Sequence, residues 1–306
     1  TQAKTLFPYT TLFRSTANVF LSKNPNASTL NSSGAGSASY TSVSIAPSAD
    51  NVTISGTPGE GFGVIQLNGA DNVTIDGDNP NTAGINRNLT IINTSNSTTA
   101  EYTSVVRVAT SSAVTTADNI TIKNCIITGN ATGKNAGAFT STTTNENASW
   151  GIYVGGNAGN TVTAAPLPLN SVTANTSAAG QTYNTLLISN NAVNACARGI
   201  VVNGAAASNS SAVTISNNLI GDQVVALSGT PPYTTPVTTV YVKGIAVSGT
   251  TALTISGNTV KNIVSYVPAA ITGIELNAAI GSGTIAIGTN TVNGVIQNNS
   301  TDTNKI

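Results

Sequence analysis

The sequence predicts an all-β protein, and more specifically a single-stranded, right-handed parallel β-helix (a β-solenoid), over residues 16–306. Three observations predict this fold. Short strand motifs recur along nearly the whole chain, apolar and polar residues alternate at a two-residue period, and Gly or Asn follows most strands at a similar offset. Few stretches show the 3.6-residue apolar period of an amphipathic helix.

The first recurring motif is a short strand of the form NVTISG. Its copies are NVTISG at 51–56, NVTIDG at 72–77, NLTIIN at 88–93, NITIKN at 119–124, LLISNN at 186–191, AVTISNN at 212–218, ALTISGN at 252–258 and TIAIGTN at 284–290. Two apolar residues lie two positions apart in each copy, so the strand pleat directs both inward. The residues between them then point outward, and we expect one stacked column of Thr53, Thr74, Thr90, Thr121, Thr214 and Thr254.

The second motif has the form GIxV and alternates with the first over much of the chain. Its copies are GVIQLNG at 63–69, SVVRVAT at 104–110, GIYVGG at 151–156, GIVVNG at 199–204, GIAVSG at 244–249 and GIELNA at 273–278. Equivalent strands recur at intervals of about twenty to fifty residues, as coils with inserted loops would produce. Insertions near 131–150, 156–182 and 222–238 carry no motif and are expected to project from the corners.

Gly and Asn mark the predicted corners of the coil, because both tolerate left-handed backbone angles. The corner residues are Gly56, Gly77, Asn93, Asn124, Asn190, Asn217 and Gly257. Stacked Asn side chains can also bond to the backbone of the next coil, so we expect an asparagine ladder at the corners.

The stretch VIQLNGADNVTIDG at 64–77, followed by RNLTIIN and NITIKNCIITGN, resembles large exported repeat proteins of certain Gram-negative bacteria. The alternation of GIxV with xVTISxN resembles the pectate-lyase-type parallel β-helix repeat, over roughly residues 40–298. Members of that superfamily include polysaccharide lyases, hydrolases, esterases, adhesins and phage spikes, so the resemblance is specific for fold and not for activity. It implies a protein that is secreted or displayed at the outer cell surface.

The beginning of the chain does not read as native protein. Residues 5–15, TLFPYTTLFRS, are what a widely used sequencing adapter gives when translated in one frame, so we interpret residues 1–15 as an artefact. A truncated start would explain why no signal peptide is visible. We therefore expect a fragment that is covalently continuous with missing N- and C-terminal regions, and whose open ends promote aggregation.

Composition narrows the possible functions. Charged residues are 7% of the chain, against about 25% in a typical soluble domain. The 11 basic and 11 acidic residues are scattered singly, so we expect no nucleic-acid partner. The chain contains no run of about 18 apolar residues, so the sequence predicts no membrane-spanning helix. The two cysteines, Cys125 and Cys196, lack metal-ligand spacing; we expect buried thiols, and the sequence leaves a disulfide open.

The chain contains no histidine. This excludes Ser-His-Asp triads, Cys-His dyads and histidine metal sites. A carbohydrate lyase that uses Lys, Arg or Tyr stays possible, as does a hydrolase with paired carboxylates.

The candidate binding residues lie in or beside second-motif strands and are Arg107, Trp150, Tyr153, Tyr241, Lys243 and Glu275. Sugar rings pack on aromatic faces and their hydroxyls pair with charged groups, so such residues on one face would form a saccharide groove. Arg107, Tyr153 and Glu275 share one outward motif position. The alternative is a solvated surface, with Trp150 plugging a corner.

A weak calcium site is the only cofactor that the sequence suggests. Its candidate ligands are Asp71, Asp76, Asp78, Asn79 and Asn81, which offer hard oxygens in a short stretch. Pro80 stands at a ligand position of the calcium-loop signature and the distal Glu is missing, so a plain corner turn is the alternative.

These observations predict a non-enzymatic extracellular scaffold or adhesin-like segment that contacts polysaccharides or cell-surface glycans. The alternative is a polysaccharide-active β-helix lyase or hydrolase, which needs convergent charged residues on one face. Contact of the threonine column with ice or mineral is a third hypothesis. The sequence leaves ligand identity and oligomeric state open.

Overall fold

The structure, a computed structural model, describes residues 19–21, 29–34, 39–59, 61–95, 102–110, 114–129, 148–157, 181–205, 210–222, 240–265, 271–277, 280–281 and 283–297. Within these ranges the protein is all β, with twenty-two strands whose pairings are all parallel. Strands stack in three columns, and the chain visits the columns in turn. This is the predicted parallel β-helix; its right-handed sense stays a prediction.

Each column stacks every third strand of the chain. The first column is a seven-stranded sheet of β3 (Val43–Ile45), β6 (Val73–Asp76), β9 (Ile120–Lys123), β12 (Leu186–Ser189), β15 (Val213–Ser216), β18 (Leu253–Ser256) and β21 (Ile285–Gly288). The second column contains β1 (Val19–Leu21), β4 (Val52–Gly56), β7 (Leu89–Asn93), β10 (Cys125–Thr128), β13 (Ala192–Asn194), β16 (Leu219–Ile220), β19 (Thr259–Ser265) and β22 (Thr291–Gln297).

The third column contains β2 (Thr29–Asn31), β5 (Gly63–Asn68), β8 (Tyr102–Thr110), β11 (Ala148–Asn157), β14 (Cys196–Asn203), β17 (Val240–Ser248) and β20 (Thr272–Leu276). One additional pairing, between Val240 and Ile263, joins the second and third columns into a fifteen-stranded sheet.

The core lies inside the coil and follows the predicted alternation. Val73 and Ile75 are buried while Thr74 between them is half-buried, and the same pattern repeats in β9, β12, β15 and β18. Full burial of one aliphatic side chain stabilises a fold by about 1.5–3 kcal/mol. Stacked pairs of such residues therefore supply most of the stability of each coil.

The predicted single threonine column is wrong, because the first motif occurs in two columns. The threonines that stack in the first column are Thr74, Thr121, Thr214 and Thr254. Leu187 interrupts them, and Thr53 pairs instead with Thr90 in the second column. Apolar alternation specifies which side chains face inward, but it does not specify the column to which a strand belongs.

Coil length varies more than the motifs predict. Successive equivalent residues are 27 positions apart from Asn191 to Asn218, and 66 positions apart from Cys125 to Asn191. The insertion expected at 131–150 ends early, because β11 begins at Ala148. Most of this insertion and of those at 156–182 and 222–238 lies outside the described residues, as do residues 1–15.

The corner between the first and second columns is tight and left-handed. Backbone φ is +57° at Asn124, +53° at Asn190, +55° at Asn217 and +66° at Gly257, as predicted for these corner residues. Gly56, Gly77 and Asn93 do not have positive φ. The left-handed corner therefore repeats where a connection of one or two residues, such as 124, 190–191 and 217–218, joins the two columns.

The predicted asparagine ladder exists, but the residue that forms it lies one position further along the chain. Its members are Asn191, Asn218, Asn258 and Asn290. Asn218 Nδ2 donates to the carbonyl of Ile188 at 2.9 Å, and Asn218 Oδ1 accepts from the Asn191 backbone N–H at 3.0 Å. Each amide thus satisfies buried polar groups of the preceding coil.

Cys125 and Cys196 are buried thiols that form no disulfide, as expected. Burial raises the pKa of the Cys125 thiol, and the Asp76 carboxylate adds to the effect.

We predict that Ellman's reagent reacts with neither thiol in the native protein and titrates both in denaturant. Access then requires unfolding, so the native reaction should be slower on the order of 10³-fold. Rapid reaction of one native thiol, or no thiol in denaturant, would contradict this assignment.

Candidate functional site

The third column brings the candidate binding residues onto one surface of the coil. Strand pairing aligns one row that contains Gln66, Arg107, Tyr153, Val201, Ala246 and Glu275. A second row lies three residues earlier in each strand and contains Gly63, Ser104, Trp150, Arg198, Lys243 and Thr272. We name these two rows together the third-column face.

The third-column face points away from the core. Tyr153 lies between Ile152 and Val154, which both belong to the core cluster, so its side chain points to the opposite side of the strand. Arg107 has the same position in β8. The structure therefore brings Arg107, Tyr153 and Glu275 into one outward row, as their shared motif position predicts.

A stack of glycines allows both rows to face outward. In a regular strand, residues three apart such as Trp150 and Tyr153 would point to opposite sides. In β11, β14, β17 and β20 a glycine lies between the rows, and a Cβ at Gly244 would lie 2.5 Å from both the Gly273 carbonyl oxygen and Val260 Cγ1. Adjacent coils approach so closely here that only glycine fits, and the strand bends at this point.

Two cations and two aromatic rings form the centre of the face. The rings of Trp150 and Tyr153 pack edge to face, with centroids 4.5 Å apart and an interplanar angle of 86°. Arg198 Cζ lies 5.3 Å from the Trp150 ring centroid, and Arg107 Cζ lies 5.7 Å from that of Tyr153. Arg107 also donates to the carbonyl of Gly61. Successive coils therefore contribute Arg107, then the two rings of Trp150 and Tyr153, and then Arg198.

The centre of the face is buried, which differs from both the groove and the solvated surface predicted from sequence. Arg107, Trp150 and Tyr153 are 0% exposed and Arg198 is 6% exposed, because these strands are covered on both sides. Burial raises the pKa of Tyr153 and lowers that of Arg107. Trp150 Nε1 has no hydrogen-bond partner among the described residues.

The face opens towards the last coil. Lys243 Nζ and Glu275 Oε2 form an ion pair at 2.6 Å, and each side chain is 21% exposed. Thr272 Oγ1, in the second row, donates to Glu275 Oε2, in the first row, at 3.0 Å. Burial alone would raise the pKa of Glu275, but hydrogen bonds from Lys243 and Thr272 and the charge of Lys243 hold that pKa below its usual value.

Sequence reasoning missed Arg198, although a signal was present. The residue before the glycine in successive copies is Trp150, Arg198, Lys243 and Thr272, and aligning the copies on their glycine would have revealed this row. Tyr241 lies in β17, but its side chain is outside what the structure describes.

Asp76 and Asp78, two of the candidate calcium ligands, lie in a hydrogen-bonded turn at the end of β6. Asp76 Oδ1 accepts from the Asp78 backbone N–H at 3.0 Å and from Asn124 Nδ2 at 2.8 Å. Asp76 Oδ2 lies 3.1 Å from Lys123 Nζ. The oxygens of Asp76 therefore already have donors.

The remaining calcium candidates do not converge with Asp76. Asn79 Oδ1 accepts from the Asn81 backbone N–H at 3.1 Å, whereas Asp71 lies before β6 and accepts from the Asp118 N–H at 2.6 Å. In the described part of the chain, no three Asp, Glu, Cys or His side chains come close enough to hold a metal ion. This geometry favours the corner turn, and calcium binding stays a prediction.

Comparison of the chain with models of known protein families, with curated proteins and with solved structures gives no match. The described residues contain no helix that could span a bilayer. The stacked parallel columns of strands define the class of the chain, the parallel β-helix proteins.

Proposed function

We propose that this chain is a segment of a secreted or surface-displayed scaffold of the pectate-lyase-like repeat type, which binds glycans at its third-column face without catalysis. The observation that carries the proposal is the row of Trp150, Arg198 and Lys243 on consecutive coils, which reaches solvent where Lys243 pairs with Glu275. Because Trp150 is buried, the groups that can meet a sugar are Lys243 and Glu275, and charged groups of this kind hydrogen-bond to sugar hydroxyls. Strand stacking repeats such groups about every 4.8 Å along the rod.

The half-exposed end of the face is where we place the first contact with a glycan. Lys243 and Glu275 reach solvent, and Arg198 stacks directly beneath Lys243. A carboxylate-bearing polysaccharide would gain charge-assisted hydrogen bonds from Lys243 there. Covalent continuity with further regions of a longer scaffold stays part of this proposal.

The burial of Tyr153 and Arg107 at the centre of the face favours binding without catalysis. A lyase of this kind needs a base that reaches the substrate and loses its proton near neutral pH. Tyr153 is buried and its pKa is raised, so it stays protonated, and Arg107 is buried beside it. The lyase or hydrolase alternative stays a hypothesis for the same face.

We predict that Lys243→Gln weakens the binding of a polyuronate by about tenfold, because one charge-assisted contact contributes on the order of 1.4 kcal/mol. Isothermal titration calorimetry measures the change. Lys261→Gln is the matched control, since Lys261 also forms an ion pair, with Asp222 at 2.8 Å, but lies in the second column. Its affinity should stay within about twofold of the parent.

The same experiment can overturn the proposal in two ways. Absence of binding to both acidic and neutral polysaccharides, or an equal loss of affinity in the two variants, would refute glycan binding at this face. New unsaturated ends on the polysaccharide, abolished by Arg107→Ala, would show a lyase in place of a scaffold.

A further inference from the structure

One corner between the first and second columns carries an insertion that the following coils lack. We number the coils by their first-column strands, so that β3 begins coil 1, β6 coil 2, β9 coil 3 and β12 coil 4. Gly77 directly follows β6 and donates its backbone N–H to the carbonyl of Lys123 in coil 3, so it lies at the corner. Leu89 begins β7 and pairs with Cys125, which directly follows the one-residue corner of coil 3. Residues 78–88 are therefore an insertion, which we name the strap.

The strap is a closed loop with hydrogen bonds of its own. The Gly77 carbonyl accepts from the backbone N–H groups of Asn88 at 2.7 Å and Leu89 at 3.1 Å, so the two ends of the loop meet. Asp78 Oδ1 accepts from the Asn86 backbone N–H at 2.7 Å and joins the two sides. A compact surface loop with joined ends keeps a defined shape. A contact at one end of the strap can therefore restrain the other end.

The first end of the strap binds coil 1. Asn79 Nδ2 and Thr82 Oγ1 each donate to Asp50 Oδ1 at 2.7 Å, and these two bonds hold the pKa of the Asp50 carboxyl below its usual value. Asn81 Nδ2 donates to the Ser48 carbonyl at 3.1 Å. Both acceptors lie between β3 and β4, so all three bonds tie the strap to the corresponding corner of coil 1.

The second end of the strap passes coil 3 and binds coil 4. Arg87 Nε donates to the Asn190 carbonyl, and Arg87 Nη2 donates to Asn190 Oδ1, both at 2.7 Å. The corner residue of coil 3 lies between them in the stack, because Asn190 Nδ2 donates to Asn124 Oδ1 at 2.7 Å and Asn124 Nδ2 donates to Asp76 Oδ1 at 2.8 Å. Asp76 directly precedes the corner of coil 2. The strap therefore closes a ring of hydrogen bonds around the corners of coils 2, 3 and 4.

This connection differs from the usual contacts in a stack of coils. A coil ordinarily contacts only its two neighbours, so opening can begin at one end and proceed coil by coil. Arg87 keeps its two bonds only while coil 4 is folded, and coil 1 separates from the strap only when the bonds to Asp50 break. Hydrogen bonds from a guanidinium are roughly twice as strong as those between neutral groups. The strap therefore opposes the separate opening of coil 1.

We propose that the strap joins coils 1–4 into one cooperative unit, which opens as a whole and not coil by coil. Arg87 holds the strap to coil 4, and Asp50 holds it to coil 1. The unit includes the three coils that carry Arg107, Trp150 and Arg198 at the centre of the third-column face. The strap thus fixes the stacking of these coils from a different corner, whether or not the face binds a glycan.

Native-state hydrogen exchange of the full chain, measured for single amides by nuclear magnetic resonance, tests the proposal. Val43 reports on coil 1, since its N–H donates to the Asn72 carbonyl at 3.0 Å. Val213 reports on the coil after coil 4, since its N–H donates to the Ala252 carbonyl at 2.9 Å. Arg87→Ala should raise the exchange rate of Val43 at least about tenfold, because coil 1 and the strap can then open without coil 4. Exchange at Val213 should stay within about twofold of the parent.

Two further variants separate the role of the strap from other effects. Lys123→Ala is the matched control, since Lys123 Nζ lies 3.1 Å from Asp76 Oδ2 at the same corner but joins only neighbouring coils. It should change the exchange rate of Val43 by less than about twofold. Deletion of residues 78–88 leaves Gly77 as a one-residue corner, and it should accelerate exchange at Val43 at least as much as the arginine substitution does.

Circular dichroism shows whether each variant is folded. An unchanged exchange rate of Val43 in folded Arg87→Ala protein would overturn the proposal, because the strap would then carry no coupling. Equal acceleration at Val43 and Val213 would also overturn it, since the substitution would then act on the whole stack and not on coils 1–4. A folded deletion variant in which Val43 exchanges as in the parent would show that coil 1 opens independently of the strap.

Discussion

Replacement of Asn218 by Ala is expected to lower the free energy of unfolding by about 3–5 kcal/mol, the larger of the two effects expected from a single substitution. Asn218 is 1% exposed, and its side chain connects three coils. Its Nδ2 donates to the Ile188 carbonyl at 2.9 Å and to Asn258 Oδ1 at 3.0 Å. Its Oδ1 accepts from the backbone and side chain of Asn191. Alanine leaves these buried groups without their partners.

The neighbouring Asn217 provides the matched control for the ladder. Asn217 is exposed and has φ of +55°, a conformation that glycine adopts without strain. Asn217→Gly should therefore change the free energy of unfolding by less than about 1 kcal/mol. Urea unfolding of both variants measures the difference. A loss below about 1 kcal/mol for Asn218→Ala, or equal losses in the two variants, would show that the ladder does not hold the corner.

Replacement of Gly244 by Ala is expected to cost about 3 kcal/mol, because the added methyl group has no space. Its Cβ would lie 2.5 Å from the Gly273 carbonyl oxygen and 2.5 Å from Val260 Cγ1. One of these neighbours is backbone of the next coil, which cannot move without breaking the strand pairing between β17 and β20. The clash therefore separates two coils that otherwise stack in register.

Gly288 provides the control for the glycine stack. It also lies in a strand, β21, but nothing lies within 4 Å of an added Cβ. Gly288→Ala should be neutral, or stabilising by up to about 1 kcal/mol through the unfolded chain. Unfolding free energies from urea titrations give the comparison. Equal stability of the parent and Gly244→Ala proteins would mean that the coils are not packed as closely as the structure shows.

The asparagine ladder and the glycine stack together explain how the fold accommodates coils of 27 to 66 residues. The asparagine ladder fixes the corner between the first and second columns, where the connection is two residues long in four successive coils. The glycine stack fixes the bend inside the third column. Insertions then occur between these fixed points, where surface loops of very different length cost little additional entropy.

Sequence reasoning predicted the side-chain direction well and the column assignment poorly. Alternation depends on strand pleat, which acts within four or five residues, so the inward direction of Val73 and Ile75 follows from the local sequence. Column assignment depends on partners dozens of residues away. Strands as short as β16, Leu219–Ile220, carry too few residues for a motif of their own. The sequence pattern therefore could not predict that Thr53 and Thr90 lie in a different column from the other threonines.

For the candidate binding residues, too, the sequence predicted one property, their alignment, and not another, their burial. The register of the third column places Arg107 beside Tyr153, in agreement with their common motif position. Their burial was not predictable, because it depends on what covers the outer side of the strand. Arg198 was missed because its motif was read from the glycine onward, and the row before the glycine becomes apparent only when neighbouring coils are aligned.

The stacking of coils is tested most directly by the distance between Ser44 and Ala286, which occupy the same row at the two ends of the first column. Both side chains are exposed, so spin labels on introduced cysteines can be attached while the buried native thiols stay unreacted. Six strand spacings of about 4.8 Å separate the two positions, and double electron–electron resonance should give a narrow distribution near about 29 Å. A broad distribution that extends well beyond this value, as an expanded chain would give, would contradict the parallel β-helix.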